Sequence, residues 1–179
     1  LLNNNLLMAL ESWEGVRPTS ARTMLAKNTA GAKPPLFWVF NTKHEFDNLA
    51  RELGADQPLY AFRSGVLITD YGEDDIQALA LRYLSDIMDV CPEGPFFIGG
   101  NCQGGIIALA MAEHALRRKR HVPLLVLMDW SFALQPFAGH VLLVSGSDNF
   151  NHNSARRFKR PDLAWKRAFA SYEFVEIPG

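Results

Sequence analysis

The run Phe96-Phe97-Ile98-Gly99-Gly100-Asn101-Cys102-Gln103-Gly104-Gly105-Ile106-Ile107-Ala108 constrains this chain more than any other. A short apolar run of β type ends in paired glycines. One reactive side chain follows, then two more glycines, then an Ala-rich helical run. A strand that turns sharply into a helix holds the residue at the turn in strained backbone geometry and brings the helix close to the strand. Side chains at the flanking positions Gly100 and Gly104 would have no room there. The alternative is a Gly-rich turn of a nucleotide-binding sheet. G-x-C-x-G-G, however, lacks the Lys-Ser/Thr of the phosphate loop and the third glycine of the dinucleotide pattern. The pattern is that of a nucleophile elbow, with Cys where Ser is usual.

Around this turn, strands and helices alternate. Leu6 to Trp13 is a short helical candidate, and Gly15, Pro18 and Ser20 mark residues 1–20 as a linker or N-terminal helix. Ala21–Lys27 reads as an edge strand, and Asn28–Pro35 as a turn rich in Gly and Pro. Leu36-Phe37-Trp38-Val39-Phe40 is continuously apolar, as expected of a strand buried on both faces of a parallel sheet. A helix over Phe46–Leu53 closes at Gly54, and Leu59–Phe62 is a further strand. Ile76, Leu79, Tyr83, Leu84, Ile87 and Met88 fall at helical spacing, and Gly94-Pro95 end that segment. Phe96–Gly99 is then a strand and Gly105–Lys119 a helix. Leu124–Met128 and Val141–Val144 are strands, Ala155–Phe169 is helical with a break at Pro161, and Tyr172–Ile177 is a last strand. The pattern predicts an α/β fold with a mainly parallel sheet.

Composition removes several function classes. At 179 residues the chain is long enough for one domain with a proper core, and 48 % apolar with 21 % charged residues is ordinary for a globular protein. A net charge of −1 argues against a nucleic-acid partner. No apolar run approaches the ~20 residues that span a bilayer, and Leu1–Leu10 has no basic region of the kind that opens a signal peptide. Two cysteines, Cys91 and Cys102, make no disulfide framework, so a reducing, cytoplasmic setting is expected. Cys91, before Pro92, reads as packing. Arg117-Arg118-Lys119-Arg120 reads as a solvated helix end complementing the macrodipole rather than as a docking patch. No cluster with metal-ligand spacing stands out.

In their order and spacing, Pro35-Leu36-Phe37-Trp38-Val39, Leu49-Ala50-Arg51-Glu52-Leu53, Pro58-Leu59-Tyr60, Pro92–Gly100 and Leu124–Asp129 resemble the thioesterase domains of non-ribosomal peptide and polyketide synthases, which have the α/β-hydrolase fold. The resemblance covers residues 21–129 well and the remainder loosely. It implies that residues 21–179 form a single α/β-hydrolase thioesterase domain lacking its C-terminal end. Only Trp130–Gly139 separates Asp129 from the next strand, so the helical lid of the family is short, absent or outside this sequence. The implied chemistry is release of an acyl or peptidyl chain. A carrier protein would deliver the chain as a thioester on its phosphopantetheine arm, with no bound cofactor. Cys102 would form the acyl-enzyme, and hydrolysis or cyclisation would free the product. By position, Cys102 matches the nucleophile, Asp129 the triad acid, and the backbone N–H of Gln103 one oxyanion donor. The second donor is expected in Asn41–Lys43, at Thr42. The general-base histidine of the family follows a Pro-Gly like Pro178-Gly179, so it is expected just beyond Gly179.

Several assignments have rivals. Asp148, in Val144-Ser145-Gly146-Ser147-Asp148, is the fallback acid, and otherwise an N-cap or Asx-turn residue. Asn149–Asn153 reads as loop. His44, His114, His121, His140 and His152 read as surface or satisfied histidines, with His44 nearest the oxyanion loop. A helix N-terminus at Cys102 is expected to favour the thiolate. The motif G-x-C-x-G-G also suits a dienelactone-hydrolase-like enzyme using Asp148 and a small lactone. A catalytically silent module that docks carrier proteins is the reading outside enzymes.

Overall fold

The computed structural model describes residues 4–18, 20, 22–66, 68, 72–130, 136–148 and 160–178. A seven-stranded sheet runs β1-β3-β2-β4-β5-β6-β7. Its strands are β1 (Met24–Lys27), β2 (Leu36–Phe40), β3 (Leu59–Arg63), β4 (Phe97–Asn101), β5 (Leu125–Met128), β6 (Phe137–Gly146) and β7 (Phe169–Ile177). Only β1 is antiparallel to its neighbour, β3; every other pairing is parallel. The helices are α1 (Asn4–Leu10), α2 (Lys43–Leu53), α3 (Glu73–Val90), α4 (Gln103–Arg117) and α5 (Pro161–Ala168).

The residue alternation within each strand sorts the core into two layers. Phe37 and Val39 of β2, Ile98 of β4, and Leu125 and Leu127 of β5 face α3 and α4. Leu36, Trp38 and Phe40 point the other way, toward Phe46 and Ala50 of α2. Because both faces of β2 are covered, all five of its residues are buried, which is why the run reads as continuously apolar. Helix α4 can lie flat on the sheet because its inner face is small: Gly104, Gly105, Ala108 and Ala112 are all buried.

Most elements fall where their residues predict, with boundary differences that have local causes. Helix α2 begins at Lys43 rather than Phe46, because the Thr42 side chain caps it and accepts from the Glu45 N–H at 3.3 Å. Gly54 closes it at φ +79°. Helix α3 stops at Val90, before Gly94-Pro95 is reached. The strand expected over Val141–Val144 extends over Phe137–Gly146, because β7 pairs with it from Phe137↔Phe169 to Gly146↔Ile177. Pro161 starts α5 at its first turn, where no amide donor is needed. Residues 149–159, including the expected loop Asn149–Asn153, His152 and the first part of the Ala155–Phe169 helix, lie outside the described residues.

Polar contacts tie the periphery to this sheet. The Arg63 guanidinium, at the end of β3, donates to the Ala9 carbonyl at 2.6 Å and Ser12 Oγ at 2.9 Å, holding α1, whose Leu6 and Leu10 are buried. Arg120 is not solvated as its basic neighbours suggest. It donates to the carbonyls of Cys91 at 2.9 Å, Gly94 at 3.3 Å and Pro92, and lies over the Phe96 ring. It thus fixes the loop that feeds β4. Arg117 pairs with Glu113 at 3.1 Å. Cys91 caps α3 and packs against the core, as expected.

Asp86 of α3 is buried. It accepts from the Thr23 hydroxyl and pairs with Arg82 at 3.4 Å. Burial pushes its carboxyl above the ordinary value, and the Thr23 hydroxyl and Arg82 oppose that shift. An acid raised in the folded state contributes stability below its unfolded pKa and loses it as pH rises through the folded one. Asp86→Asn is therefore expected to be tolerated better at pH 7 than at pH 4. Thr23→Val, which strips a buried carboxyl of its donor, should lower unfolding stability by about 1–3 kcal/mol; urea melts at both pH values check the pair.

Candidate active site

The order of strands places a crevice before any side chain is considered. From β2 the chain crosses by α2 to β3 on one side, while β4 lies on β2's other side. In open parallel sheets such a reversal opens a crevice at the carboxyl ends of the two strands. The Asn41–Glu45 loop leaves β2 there, and the Cys102 turn leaves β4 at the same edge.

Cys102 stands between β4 and α4 at φ 47°, ψ −120°, a backbone state that a non-glycine residue adopts only under constraint. Two hydrogen bonds and two close backbone approaches impose it. The Cys102 N–H donates to the Met128 carbonyl at 2.9 Å, and its own carbonyl accepts from Gly105 at 3.0 Å. A Cβ at Gly100 would lie 2.5 Å from the Gly104 carbonyl carbon, and one at Gly104 only 2.2 Å from the Val39 carbonyl oxygen. Both flanking positions therefore admit glycine alone, as the elbow pattern requires. The half-buried Cys102 thiol receives a hydrogen bond from the backbone N–H of Gln103, the first residue of α4.

Asp129 begins the turn after β5, also at φ 47°. Its N–H donates to Val144 at 2.8 Å, and its carboxylate accepts from the Gly146 N–H at 3.2 Å, so both ends of the residue are pinned to β6. The structure brings Cys102, Gln103 and Asp129 together. Asp148, two residues beyond β6, is exposed, and its carboxylate accepts from the Ser147 hydroxyl at 3.3 Å.

The expectation that the helix N-terminus would favour the thiolate is corrected by the site's electrostatics. The Cys102 thiol is pushed above the ordinary cysteine value, first by burial and then by the negative charges of Asp129 and Glu45. The Gln103 N–H acts in the opposite direction and is outweighed. The neutral thiol is the resting form.

Glu45 is the residue that sequence reasoning passed over. Thr42-x-x-Glu45 is a capping-box signature, legible in the chain, but it speaks of a helix start and not of a site. In the structure a single oxygen, Glu45 Oε2, accepts from the N–H of Asn41 at 3.1 Å and of Thr42 at 3.3 Å. The expected oxyanion donor Thr42 is thus in the crevice, with its N–H already engaged. Asn41 Nδ2 donates to the Asn101 carbonyl at 3.4 Å, stitching this loop to the residue before Cys102. Below it, on the α2 side, Trp38, Phe40, Glu45, Leu49, Asn101 and Met128 line an apolar cavity of about 290 Å³.

The described histidines are engaged away from the thiol. His44 bonds Asn48 at 2.9 Å, His114 bonds Gln77 at 2.6 Å, and His140 bonds Ser171 at 2.7 Å. The His121 carbonyl pairs with Phe96, at the opposite end of β4 from Cys102. Among the described residues no cluster of His, Cys, Asp or Glu could hold a metal ion, and no helix is long and apolar enough to cross a membrane.

A mostly parallel sheet flanked by helices, with a strained strand–turn–helix elbow at its carboxyl edge, defines the α/β-hydrolase fold. The solved NocB thioesterase domain from the nocardicin cluster shares it with a TM-score of 0.68, at 18 % identity, over 87 % of this chain and 88 % of that one. The family model described as Thioesterase domain matches residues 36–133, more than half of the chain. The chain belongs to this thioesterase domain family, whose members act on thioester bonds. Among curated proteins it is 35 % identical over 126 residues to the chondramide synthase cmdD of Chondromyces crocatus, covering 65 % of this chain and 3 % of that protein. It is 29 % identical over 119 residues to the dimodular nonribosomal peptide synthase of Bacillus subtilis (strain 168), covering 64 % and 5 %. The chain therefore matches only a small part of the length of these relatives.

The elbow packing gives a direct test. Gly104→Ala should destabilise the fold by about 1–3 kcal/mol or more, because its methyl meets rigid backbone. Gly72→Ala, at a helix start with nothing within 4 Å, should change stability by less than about 0.5 kcal/mol. Paired denaturant melts compare the two.

Proposed function

We propose that this chain releases an acyl or peptidyl chain from the phosphopantetheine arm of a carrier protein, through an acyl-enzyme on Cys102. The observation that carries the reading is the constrained elbow. A lone reactive side chain sits at φ 47° at the crevice, with the Gln103 N–H on its sulfur and Asp129 beside it. Similarity to a chondramide synthase and a nonribosomal peptide synthase supports this substrate class.

In the proposed reaction a base takes the Cys102 proton, and the sulfur attacks the carbonyl carbon of the incoming thioester. The negative oxygen of the tetrahedral intermediate rests on the Gln103 N–H, with a second donor from the loop at Thr42. The bond to the pantetheine sulfur then breaks, that sulfur takes up the proton, and the acyl group stays on Cys102. Water, or a hydroxyl or amine of the chain itself, displaces it and restores the thiol. A thioester acyl-enzyme remains more activated toward amines than an oxygen ester, which favours cyclisation beside hydrolysis. Because the resting thiol is protonated, a base must be brought to the sulfur from outside the described residues. In this reading Asp129 orients that base and stabilises its charged form. The work is cytoplasmic, and no bound cofactor takes part.

The test is intact-mass analysis of the full-length protein after exposure to a pantetheine acyl thioester. One acyl adduct is expected on the wild type and none on Cys102→Ala. Asp129→Asn should slow turnover by about 10⁴-fold while Asp148→Asn changes it little. A wild type that turns over without passing through a Cys102 adduct, or an Asp148→Asn variant as impaired as Asp129→Asn is expected to be, would falsify the assignment.

A further inference from the structure

The loop that leaves β2 carries a structure more specific than a helix cap. One carboxylate oxygen, Glu45 Oε2, is gripped by two successive backbone donors, Asn41 N–H and Thr42 N–H. Two N–H groups converging on one negatively charged oxygen is the arrangement that a tetrahedral oxyanion requires. The pair lies beside the elbow. Val39 is in register with Gly100, so the residues after Phe40 run alongside Asn101 and Cys102, and Asn41 Nδ2 reaches the Asn101 carbonyl. The side-chain oxygens of Asn41 and Asn101 are both buried, with no hydrogen-bond partner among the described residues. The patch therefore has acceptors to spare, while the two backbone donors that could serve an anion are held by Glu45.

We propose that the Glu45 carboxylate is a resident occupant of the Asn41–Thr42 donor pair, which it must vacate before that pair can receive the oxyanion of a reacting thioester. Glu45 is then a positioning residue that holds the site in a resting state, and this inference rests on the acyl-enzyme reading of Cys102. The charge of Glu45 also acts on the Cys102 thiol, in the direction that keeps it protonated. Withdrawal of the carboxylate would free a donor pair and release the sulfur from a repulsive charge in one movement. Capping α2 does not require that charge, because a neutral Gln at the same place completes a capping box equally.

Two reactions at Cys102 separate these roles in the full-length protein. Alkylation by iodoacetamide needs the thiolate but no oxyanion donors; acylation by a pantetheine acyl thioester needs both. Glu45→Gln keeps the cap and removes the charge, so the pH profile of alkylation should move to lower pH and both rates at pH 7 should rise several-fold. Glu45→Ala also empties the donor pair, so acylation should rise over alkylation by about 10- to 100-fold, the usual effect of an oxyanion donor. An unmoved alkylation profile in Glu45→Gln, together with a wild-type ratio of the two rates in Glu45→Ala, overturns the inference and leaves Glu45 a helix cap. Should Glu45→Ala lose its cooperative melt, the Glu45→Gln profile decides alone. A wild type and a Glu45→Ala variant that are both alkylated but never acylated sink the acyl-enzyme reading instead, and the alkylation profile still decides the charge effect.

Discussion

The contact between the Val39 carbonyl at the end of β2 and the start of α4 governs the geometry of the crevice. A Cβ at Gly104 would approach that oxygen to 2.2 Å, so helix and strand meet at a distance only bare backbone allows. At that distance the chain leaving β4 must turn within one residue, and Cys102 takes up φ 47°. The same approach aligns the first N–H of α4 with the Cys102 sulfur and draws the Asn41 loop against Asn101. Loosening this contact would change the direction of the thiol, the helix donor and the loop together, because they share one backbone junction.

Charge at the crevice is weighted toward the negative. A helix N-terminus contributes about half an elementary charge, whereas Asp129 and Glu45 each bring a full one into a half-buried site. Desolvation is the largest influence on the Cys102 thiol and these charges add to it, so the balance leaves the thiol protonated. Asp129 is held rigidly by β6, through its N–H to Val144 and the Gly146 N–H to its carboxylate. Glu45 is held by amides of its own loop. The first is anchored to the sheet; the second is anchored to a surface turn. In the proposed switch it is Glu45, and not Asp129, that moves.

Much of the scaffold was legible in the chain. The apolar run Leu36–Phe40, the helical spacing from Ile76 to Met88 and the glycines around Cys102 each record a strong local requirement: two-sided burial, one-sided burial and a lack of space. What the residues understated was pairing supplied by a partner. Ala138, Gly139 and His140 carry little strand preference; His140 pairs with Ser171 and Phe137 with Phe169, and the register shifts between them, so pairing with β7 on either side carries β6 through an irregularity. Arg120 reads as a solvated cation, yet it binds three carbonyls of the loop before β4, a role no local pattern encodes.

The division at the crevice follows the same physical line. By itself the sequence determined that a sharp glycine-flanked turn would present Cys102 at a sheet edge, with Asp129 at the end of the next strand, since both follow from short-range steric and apolar patterns. Only the tertiary structure decided the state of those groups. Whether a thiol at a helix N-terminus is charged depends on how much water remains around it and which carboxylates face it. Those carboxylates come from 57 residues before Cys102 at Glu45, and from beyond it at Asp129, and no local pattern carries the distance between them. The elbow's shape is a matter of neighbours in the chain; its electrostatics is a matter of neighbours in space.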